Sequence, residues 1–290
     1  MKIVHPAPEN PTETSILIEG LHQPITLMHI TDSHLVLADE RDPDAVKLLP
    51  DRASKRPDAP VFFAENLNRS NELAVDATIL TGDIISFPAW AGIDAIHAGV
   101  QTLEAPYLYT LGNHDWYFPY LEFNDGIRAD YYPRFHGLTE GNPACQVKEI
   151  GGVRLITLDN SNYQVTPAQL AFLTEQLATG QPCLLFIHIP IAIPTLIPPV
   201  VERFKSPIIM AATEGWTEET RAALPHVLAN ETTLACHTLL TLGATENLAG
   251  IFCGHVHFSH QAPYREGRFQ YVTVPSFEAG HRVIRLEPYQ

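Results

Sequence analysis

Short apolar runs alternate with segments of helical spacing along the first half of the chain. Each run ends at a glycine or at polar residues, as buried strands do. The intervening segments 62–75 and 90–103 carry apolar side chains at helical spacing. This succession predicts parallel βαβ units. The predicted strands are residues 15–18, 25–30, 77–81 and 107–111.

The second half of the chain carries a β-hairpin signal. Residues 144–150 and 153–158 flank Gly151 and Gly152, a two-residue turn typical of antiparallel strands. The other predicted elements are helices at 166–177 and 217–228, a strand at 183–187 and short strands within 249–286.

Together these elements predict an α/β fold, a four-layer sandwich of two mixed β-sheets flanked by helices. The first sheet would take the parallel units and the second the hairpins, and the two would pack face to face. The chain has 290 residues, 45% hydrophobic and 18% charged, enough for a sizeable core. We expect one domain, residues 1–290, because the candidate site residues extend from 32 to 257.

Two segments are predicted as loops. Residues 38–60 are charged and interrupted by prolines, which predicts a surface excursion. Residues 182–201 are apolar and long enough to raise the question of a membrane span, but five prolines and His188 argue against it. We expect a strand that continues into an extended, proline-rich loop.

Charge and cysteine content restrict the partners and the compartment. The 18 Lys and Arg against 33 Asp and Glu give a net charge of −15, so we expect no non-specific binding to nucleic acid or to an anionic membrane. The N-terminal residues show no secretory signal. The four cysteines form no CxxC pair and mostly lie in apolar runs, which indicates buried free thiols in a reducing compartment and a cytoplasmic location.

Asp, Asn and His follow several of the predicted strands. The carboxyl ends of strands are where open α/β sheets bind ligands, so these residues predict one site. For residues 112–115 alone, a polar turn that caps a helix is the alternative. Recurrence at five strand ends favours a metal site. The candidate ligands are Asp32, His34, Asp83, Asn113, His188, His255 and His257.

The types of donor restrict the metal. Carboxylates, an amide oxygen and imidazoles, without thiolate, suit Mn²⁺, Fe or Zn²⁺ better than Ca²⁺ or Cu(I). So many donors indicate two ions, and a pair that shares a carboxylate forms a hydrolytic centre. His255 and His257 are two apart on a segment predicted to be extended, so both imidazoles should point to one side. The same argument applies to Asp32 and His34.

The residues also resemble those of the calcineurin-like metallophosphoesterases. Five motifs of that family occur in the family's order and extend over most of the chain. The chain size and the last motif are similar to those of bacterial cyclic-nucleotide phosphodiesterase-like members. The motifs are DSH at 32–34, GD at 82–83, GNHD at 112–115, HxP at 188–190 and GHVH at 254–257.

This resemblance implies a division of the ligands between two metal ions of the Mn, Fe or Zn type. Asp83 would bridge the two ions. The ligands of the first ion would be Asp32, His34, Asp83 and His257, and those of the second Asp83, Asn113, His188 and His255.

The resemblance also implies the reaction, hydrolysis of a phosphate ester by a metal-bridging hydroxide. His114 would protonate the leaving oxygen or bind the phosphate, and Asp115 would orient His114. Many members carry Asp or Asn where this chain has Ser86, so a supporting partner is missing there. Purple acid phosphatases have a tyrosine ligand in that region, and Ile84 and Ile85 disfavour that variant here.

Three functions follow from this. The first is a phosphodiesterase that acts on a small nucleotide or a similar diester. The second is a phosphomonoesterase, including a protein phosphatase. The third is a non-enzymatic binding member of the same fold, which would lack a ligand or the general acid. The expected partner is a small phosphate ester, and a homo-oligomer is left open.

Overall fold

The computed structural model describes residues 1–7, 10–243 and 245–289. Strands and helices alternate along the chain, as the apolar pattern predicts. The strands are β1 (Ile3–Val4), β2 (Glu13–Ile18), β3 (Ile25–Ile30), β4 (Ala77–Leu80), β5 (Tyr107–Tyr109), β6 (Cys145–Ile150), β7 (Val153–Leu158), β8 (Cys183–Phe186), β9 (Leu248–Cys253), β10 (His260–Arg265), β11 (Arg268–Val272) and β12 (Arg282–Pro288).

Helices connect the strands and flank the sheets. They are α1 (Pro43–Val46), α2 (Leu49–Ala53), α3 (Ala59–Glu72), α4 (Trp90–Val100), α5 (Asp125–Tyr131), α6 (Pro167–Ala178), α7 (Ile197–Phe204), α8 (Glu218–Ala223) and α9 (Glu231–Leu242). Within the ranges given above, none of them is long and apolar enough to span a membrane.

The strands form two mixed, six-stranded sheets. The first has the order β1-β2-β12-β3-β4-β5, with β3, β4 and β5 parallel. The second has the order β10-β11-β9-β8-β7-β6, with β7, β8, β9 and β11 parallel. This confirms the predicted α/β fold with two mixed sheets.

An apolar layer between the sheets shows that they pack face to face. Leu27 and Ile79 of the first sheet and Leu184 and Phe252 of the second belong to one buried cluster. On the outer faces, α3 and α4 cover the first sheet, and α6 and α9 cover the second. Burying each large side chain contributes about 1.5–3 kcal/mol. The four layers therefore have the predicted arrangement.

The structure corrects several local predictions. Residues 38–60 are not a plain loop, since they include α1 and α2. The proline-rich stretch contains α7, whose Pro198 lies in the first turn, where a missing N–H costs nothing. The helix predicted at 217–228 ends at Ala223, because Pro225 disfavours helical backbone at Leu224. Helices α5 and α9 were not predicted.

The topology of the second half also differs from the prediction. The hairpin β6–β7 is antiparallel as predicted, but β7, β8 and β9 are mutually parallel. β12, although it belongs to the second half of the chain, pairs with β2 and β3 in the first sheet. The second sheet thus resembles the first, and parallel strand ends from both sheets meet at one edge.

Candidate metal centre

Both sheets deliver polar side chains to the same edge. Loops after β3, β4 and β5 come from the first sheet, and loops after β8 and β9 come from the second. The structure brings all the candidate ligands together there. They are Asp32 and His34 after β3, Asp83 after β4, Asn113 after β5, His188 after β8, and His255 and His257 after β9.

The first group comprises Asp32, His34, Asp83 and His257, whose donor atoms all lie within 4.8 Å of one another. Nε2 of His257 lies 3.2 Å from Oδ1 of Asp32 and 3.1 Å from Nε2 of His34. Oδ1 of Asp32 is buried and has no hydrogen-bond partner among the described residues. A buried carboxylate oxygen that faces two imidazole nitrogens fits a metal ion.

The second group comprises Asp83, His188 and His255, also within 4.8 Å. Nε2 of His188 lies 3.2 Å from Oδ2 of Asp83 and 3.2 Å from Oδ1 of Asn113. The same Oδ2 lies 3.7 Å from Nε2 of His34 in the first group. One oxygen of Asp83 therefore faces both groups.

Backbone carbonyls hold the outer nitrogens of two imidazoles. Nδ1 of His188 donates to the carbonyl of Thr81 at 2.7 Å, and Nε2 of His255 donates to the carbonyl of Ile208 at 3.0 Å. A carbonyl only accepts, so these nitrogens carry the protons. The inner nitrogens, Nε2 of His188 and Nδ1 of His255, are then free to bind a metal.

Charges within the cluster shift the pKa values of its members. Burial raises the pKa of Asp83, but the charges of His188 and His114 outweigh it and hold that pKa well below its usual range. Burial lowers the pKa of His188, yet the charges of Asp83 and Asp32 raise it to about 9. Burial lowers the pKa of His255 to about 3. In the absence of metal, the positive charge of a protonated His188 partly neutralises the negative charges of Asp83 and Asp32.

The backbone at the ligands is left-handed. The φ angles are 52° at Asp32, 51° at His34, 50° at Asp83, 71° at His255 and 55° at His257. Asp32 and His34, and likewise His255 and His257, therefore do not lie on extended segments, and that prediction is wrong. Tight loops with left-handed backbone set the directions of these side chains. Holding a non-glycine residue in the left-handed φ/ψ region costs about 1–3 kcal/mol, and such backbone strain is found most often at functional sites.

Two motif glycines let these loops approach one another closely. A Cβ at Gly112 would clash with the backbone and carboxylate of Asp83. A Cβ at Gly254 would clash with Thr31 and the carboxylate of Asp32. These glycines are required by the close approach of two ligand loops.

His114 lies next to the first group without joining it. Its backbone N–H donates to Oδ1 of Asp83 at 2.7 Å, and its ring centroid is 4.9 Å from that of His34. Nδ1 lies 3.3 Å from the carbonyl of Ser86 and donates to it. Burial lowers the pKa of His114. Nε2 is thus the nitrogen that is available to a substrate.

Asp115 does not orient His114, contrary to the prediction. Its Oδ2 accepts from the N–H groups of Asp83 at 2.9 Å and Gly112 at 2.8 Å, and its Oδ1 accepts from Ile85 at 3.2 Å. A carboxylate that accepts several backbone N–H groups fixes the loops that supply them. Asp115 therefore positions Asp83.

Three supporting residues were missed from the sequence. Thr31 donates from Oγ1 to Oδ2 of Asp32 at 2.8 Å, and Thr81 holds His188. Ser86 donates from Oγ to the carbonyl of His34 at 3.0 Å. The serine that replaces the Asp or Asn of many family members therefore still supports a ligand loop. The signal for the threonines was present, since each precedes a motif in the printed sequence.

The chain matches a known protein family, and its fold is similar to those of solved phosphatases. The family model described as calcineurin-like phosphoesterase matches residues 25–259. No curated protein sequence matches the chain significantly. The fold is similar to that of a dimetal phosphatase from Danio rerio, with a TM-score of 0.55, 12% identity and 89% of each chain covered. It is also similar to a purple acid phosphatase from yellow lupin (Lupinus luteus) seeds, with a TM-score of 0.54 and 12% identity. That alignment covers 92% of this chain and 46% of the lupin chain, so this chain spans about half of that length.

Proposed function

The chain belongs to the calcineurin-like phosphoesterase family, and from that premise we propose that it is a dinuclear metallophosphoesterase that cleaves small phosphodiesters. The main support for this proposal is the position of Oδ2 of Asp83. It lies 3.2 Å from Nε2 of His188 and 3.7 Å from Nε2 of His34, in two different groups of donors. A carboxylate in that position is suited to bridge two ions.

The donors fit the proposed metals. Asp32, His34, Asp83 and His257 would hold one ion, and Asp83, Asn113, His188 and His255 would hold the other. Carboxylate, amide and imidazole donors favour Mn²⁺, Fe or Zn²⁺. When bound, two such ions supply positive charge to the phosphate and activate water as a nucleophile.

The chain's own side chains perform the remaining tasks. Asp32 and Asp83 stay ionised at neutral pH, because neighbouring histidines lower the pKa of both carboxyls despite their burial. Nδ1 of His114 donates a hydrogen bond to the carbonyl of Ser86. Proton donation to the leaving oxygen would therefore come from Nε2. Burial lowers the pKa of His114, and the charge of Asp83 opposes that shift without reversing it.

Global charge supports a small diester. A net charge of −15 repels polyanions, and a diester carries less negative charge than a monoester. The apolar character of segment 189–201, by contrast, gives no support for a small substrate. Ile189, Ile191 and Ile193 are buried in the core of the second sheet, so their apolar character serves packing.

A panel of phosphate mono- and diesters tests the proposal directly. Purified Mn²⁺-loaded protein should hydrolyse small diesters with a higher kcat/KM than the matching monoesters, and Asp83→Ala should abolish this activity. Asp130→Ala is a suitable control, because Asp130 is exposed on α5. A folded, metal-loaded protein that hydrolyses no ester would instead support a non-enzymatic binding protein.

A phosphomonoesterase is the second candidate. Both structural neighbours reported above are called phosphatases, which favours monoesters, although 12% identity relates the folds alone. A protein phosphatase belongs to this alternative. The same panel separates the two candidates, since a monoesterase would show the opposite order of kcat/KM.

Two further properties form part of the proposal. Residues 1–290 would make one domain, because both sheets contribute ligands to one centre. A cytoplasmic location is supported by the free thiols of Cys183, Cys236 and Cys253, which are buried. Size-exclusion chromatography with light scattering would identify a homo-oligomer.

A further inference from the structure

An arginine outside every motif lies beside the first group of ligands. Arg56 occupies the turns between α2 and α3, and its guanidinium carbon is 4.1 Å from the centroid of the Phe277 ring. That ring centroid lies 5.1 Å from the ring of His257 and 5.6 Å from the ring of His34. One aromatic ring thus packs against both Arg56 and two candidate metal ligands.

Phe277, on whose ring Arg56 stacks, is bonded to the loop that carries the candidate ligand Asp32. Phe277 lies in a short 3-10 turn, Ser276–Glu278, and its backbone N–H donates to the carbonyl of Asp32 at 3.2 Å. Nδ2 of Asn66 on α3 donates to Oγ of Ser276 at 3.0 Å. Because Arg56 lies three residues before the start of α3, both the arginine and the ring on which it stacks are connected to the edge of the metal centre.

Apart from stacking on Phe277, the guanidinium of Arg56 has no polar partner among the described residues. It is partly buried, yet in the part of the chain that the structure describes it donates no hydrogen bond and forms no ion pair. By contrast, Arg41, Arg128 and Arg134 each pair with a carboxylate. A guanidinium offers five N–H donors in a fixed fork that matches a carboxylate or a phosphate.

We propose that Arg56 binds a second anionic group of the substrate, a carboxylate or a phosphate carried a few bonds from the scissile phosphate. This inference rests on the phosphoesterase function proposed above. The scissile phosphate would be held between the two groups of donors, next to His114. Arg56 stacks on Phe277, which packs against the rings of His34 and His257, and within the described residues it neither bonds nor pairs with those donors. Its guanidinium is therefore placed for a group bound beside the scissile phosphate. Substrates with two anionic groups would therefore be preferred.

A matched pair of non-hydrolysable probes tests this inference. The probes 3-phosphonopropionate and propylphosphonate differ only in a terminal carboxylate in place of a methyl group. Isothermal titration calorimetry on Mn²⁺-loaded wild type should show about tenfold tighter binding of the carboxylate probe, as expected for one charge-assisted contact. Arg56→Gln should bind the two probes about equally, and Arg56→Lys should keep part of the preference.

Lys55→Gln is the matched control. It removes one positive charge from the same turn, but Lys55 is exposed and pairs with Asp51 at 2.8 Å, so the preference should be kept. With ester substrates that carry a carboxylate, Arg56→Gln should raise KM and leave kcat nearly unchanged.

The remaining outcomes separate the two proposals. Equal weakening of both probes by Arg56→Gln would mean that Arg56 binds the reacting phosphate itself, which overturns the inference. The absence of any preference in the wild type also overturns it. A wild-type protein that binds neither probe and hydrolyses no ester of the panel above would contradict the phosphoesterase function, and with it the inference. One that hydrolyses esters of the panel but binds neither probe would overturn the inference alone.

Discussion

The carboxylate of Asp115 accepts a hydrogen bond from the backbone N–H of Asp83 at 2.9 Å. The two residues follow neighbouring parallel strands, and the contact fixes the loop that carries the proposed bridging ligand. Asp115 accepts from Gly112 and Ile85 as well, so one buried side chain joins two motif loops. It supports the metal centre and does not contact His114.

Asp115→Asn should therefore weaken metal binding, without a selective effect on proton transfer. The amide offers one acceptor oxygen in place of two and leaves at least one buried N–H without a partner, which costs about 1–3 kcal/mol. Urea unfolding and metal analysis should show lower stability and lower metal content, with equal rate losses on alkyl and nitrophenyl esters. Asp130→Asn provides an exposed control. A selective loss on the alkyl ester would restore the orienting role.

Asp83→Ala should lose both ions or keep one weakly. Its Oδ2 faces donors of both groups, so its removal takes a ligand from each. Mass spectrometry of the purified protein should find two metal equivalents in the wild type and at most one in the variant. Two equivalents in the variant would refute the bridge.

His114→Ala should keep both metals and lose more rate on an alkyl ester than on a nitrophenyl ester. An alkoxide needs a proton to leave and a nitrophenolate does not, and general acid catalysis is worth about 10²–10⁴-fold. Steady-state kinetics on the two esters measure the difference. Equal losses would leave His114 as a phosphate-binding residue only.

Chelated protein should recover activity with Mn²⁺, Fe or Zn²⁺ and not with Ca²⁺. Four of the candidate ligands are imidazoles, whereas Ca²⁺ prefers oxygen donors. Reconstitution with each metal in turn, followed by an activity assay, checks this expectation. Full recovery with Ca²⁺ alone would contradict the proposed ligand set.

Metal binding should tighten as the pH rises toward about 9. Burial lowers the pKa of His188, but Asp83 and Asp32 raise it to about 9, so below that pH a metal must displace its proton. Calorimetry at neutral pH in buffers of different ionisation enthalpy should detect proton release. The same raised pKa stabilises the metal-free protein fully below pH 6.5, and this stabilisation is lost as the pH rises through about 9. A pH-independent affinity would exclude a protonated His188.

The sequence was most informative where a buried strand stops at a charged or polar side chain. An apolar run that ends in Asp32 or Asp83 has few structural explanations, so the convergence of these residues followed from sheet geometry. The assignment of the metals to them stays a prediction. The partners of Asp115 were not predictable, because they are backbone N–H groups that tertiary contacts bring together. Left-handed backbone at His255 was not predictable either, since nothing in its residue type requires it.

The position of β12 has a consequence for the order in which the molecule can assemble. This strand is synthesised after every strand it joins, yet it lies between β2 and β3, with Ile284 opposite Thr14 on one side and Leu27 on the other. Until β12 has left the ribosome, β2 and β3 lack their shared neighbour and expose unpaired edges. Such long-range pairing slows folding and prolongs the time during which a nascent chain can aggregate. Completion of the first sheet therefore waits until nearly the whole chain shown here has been made.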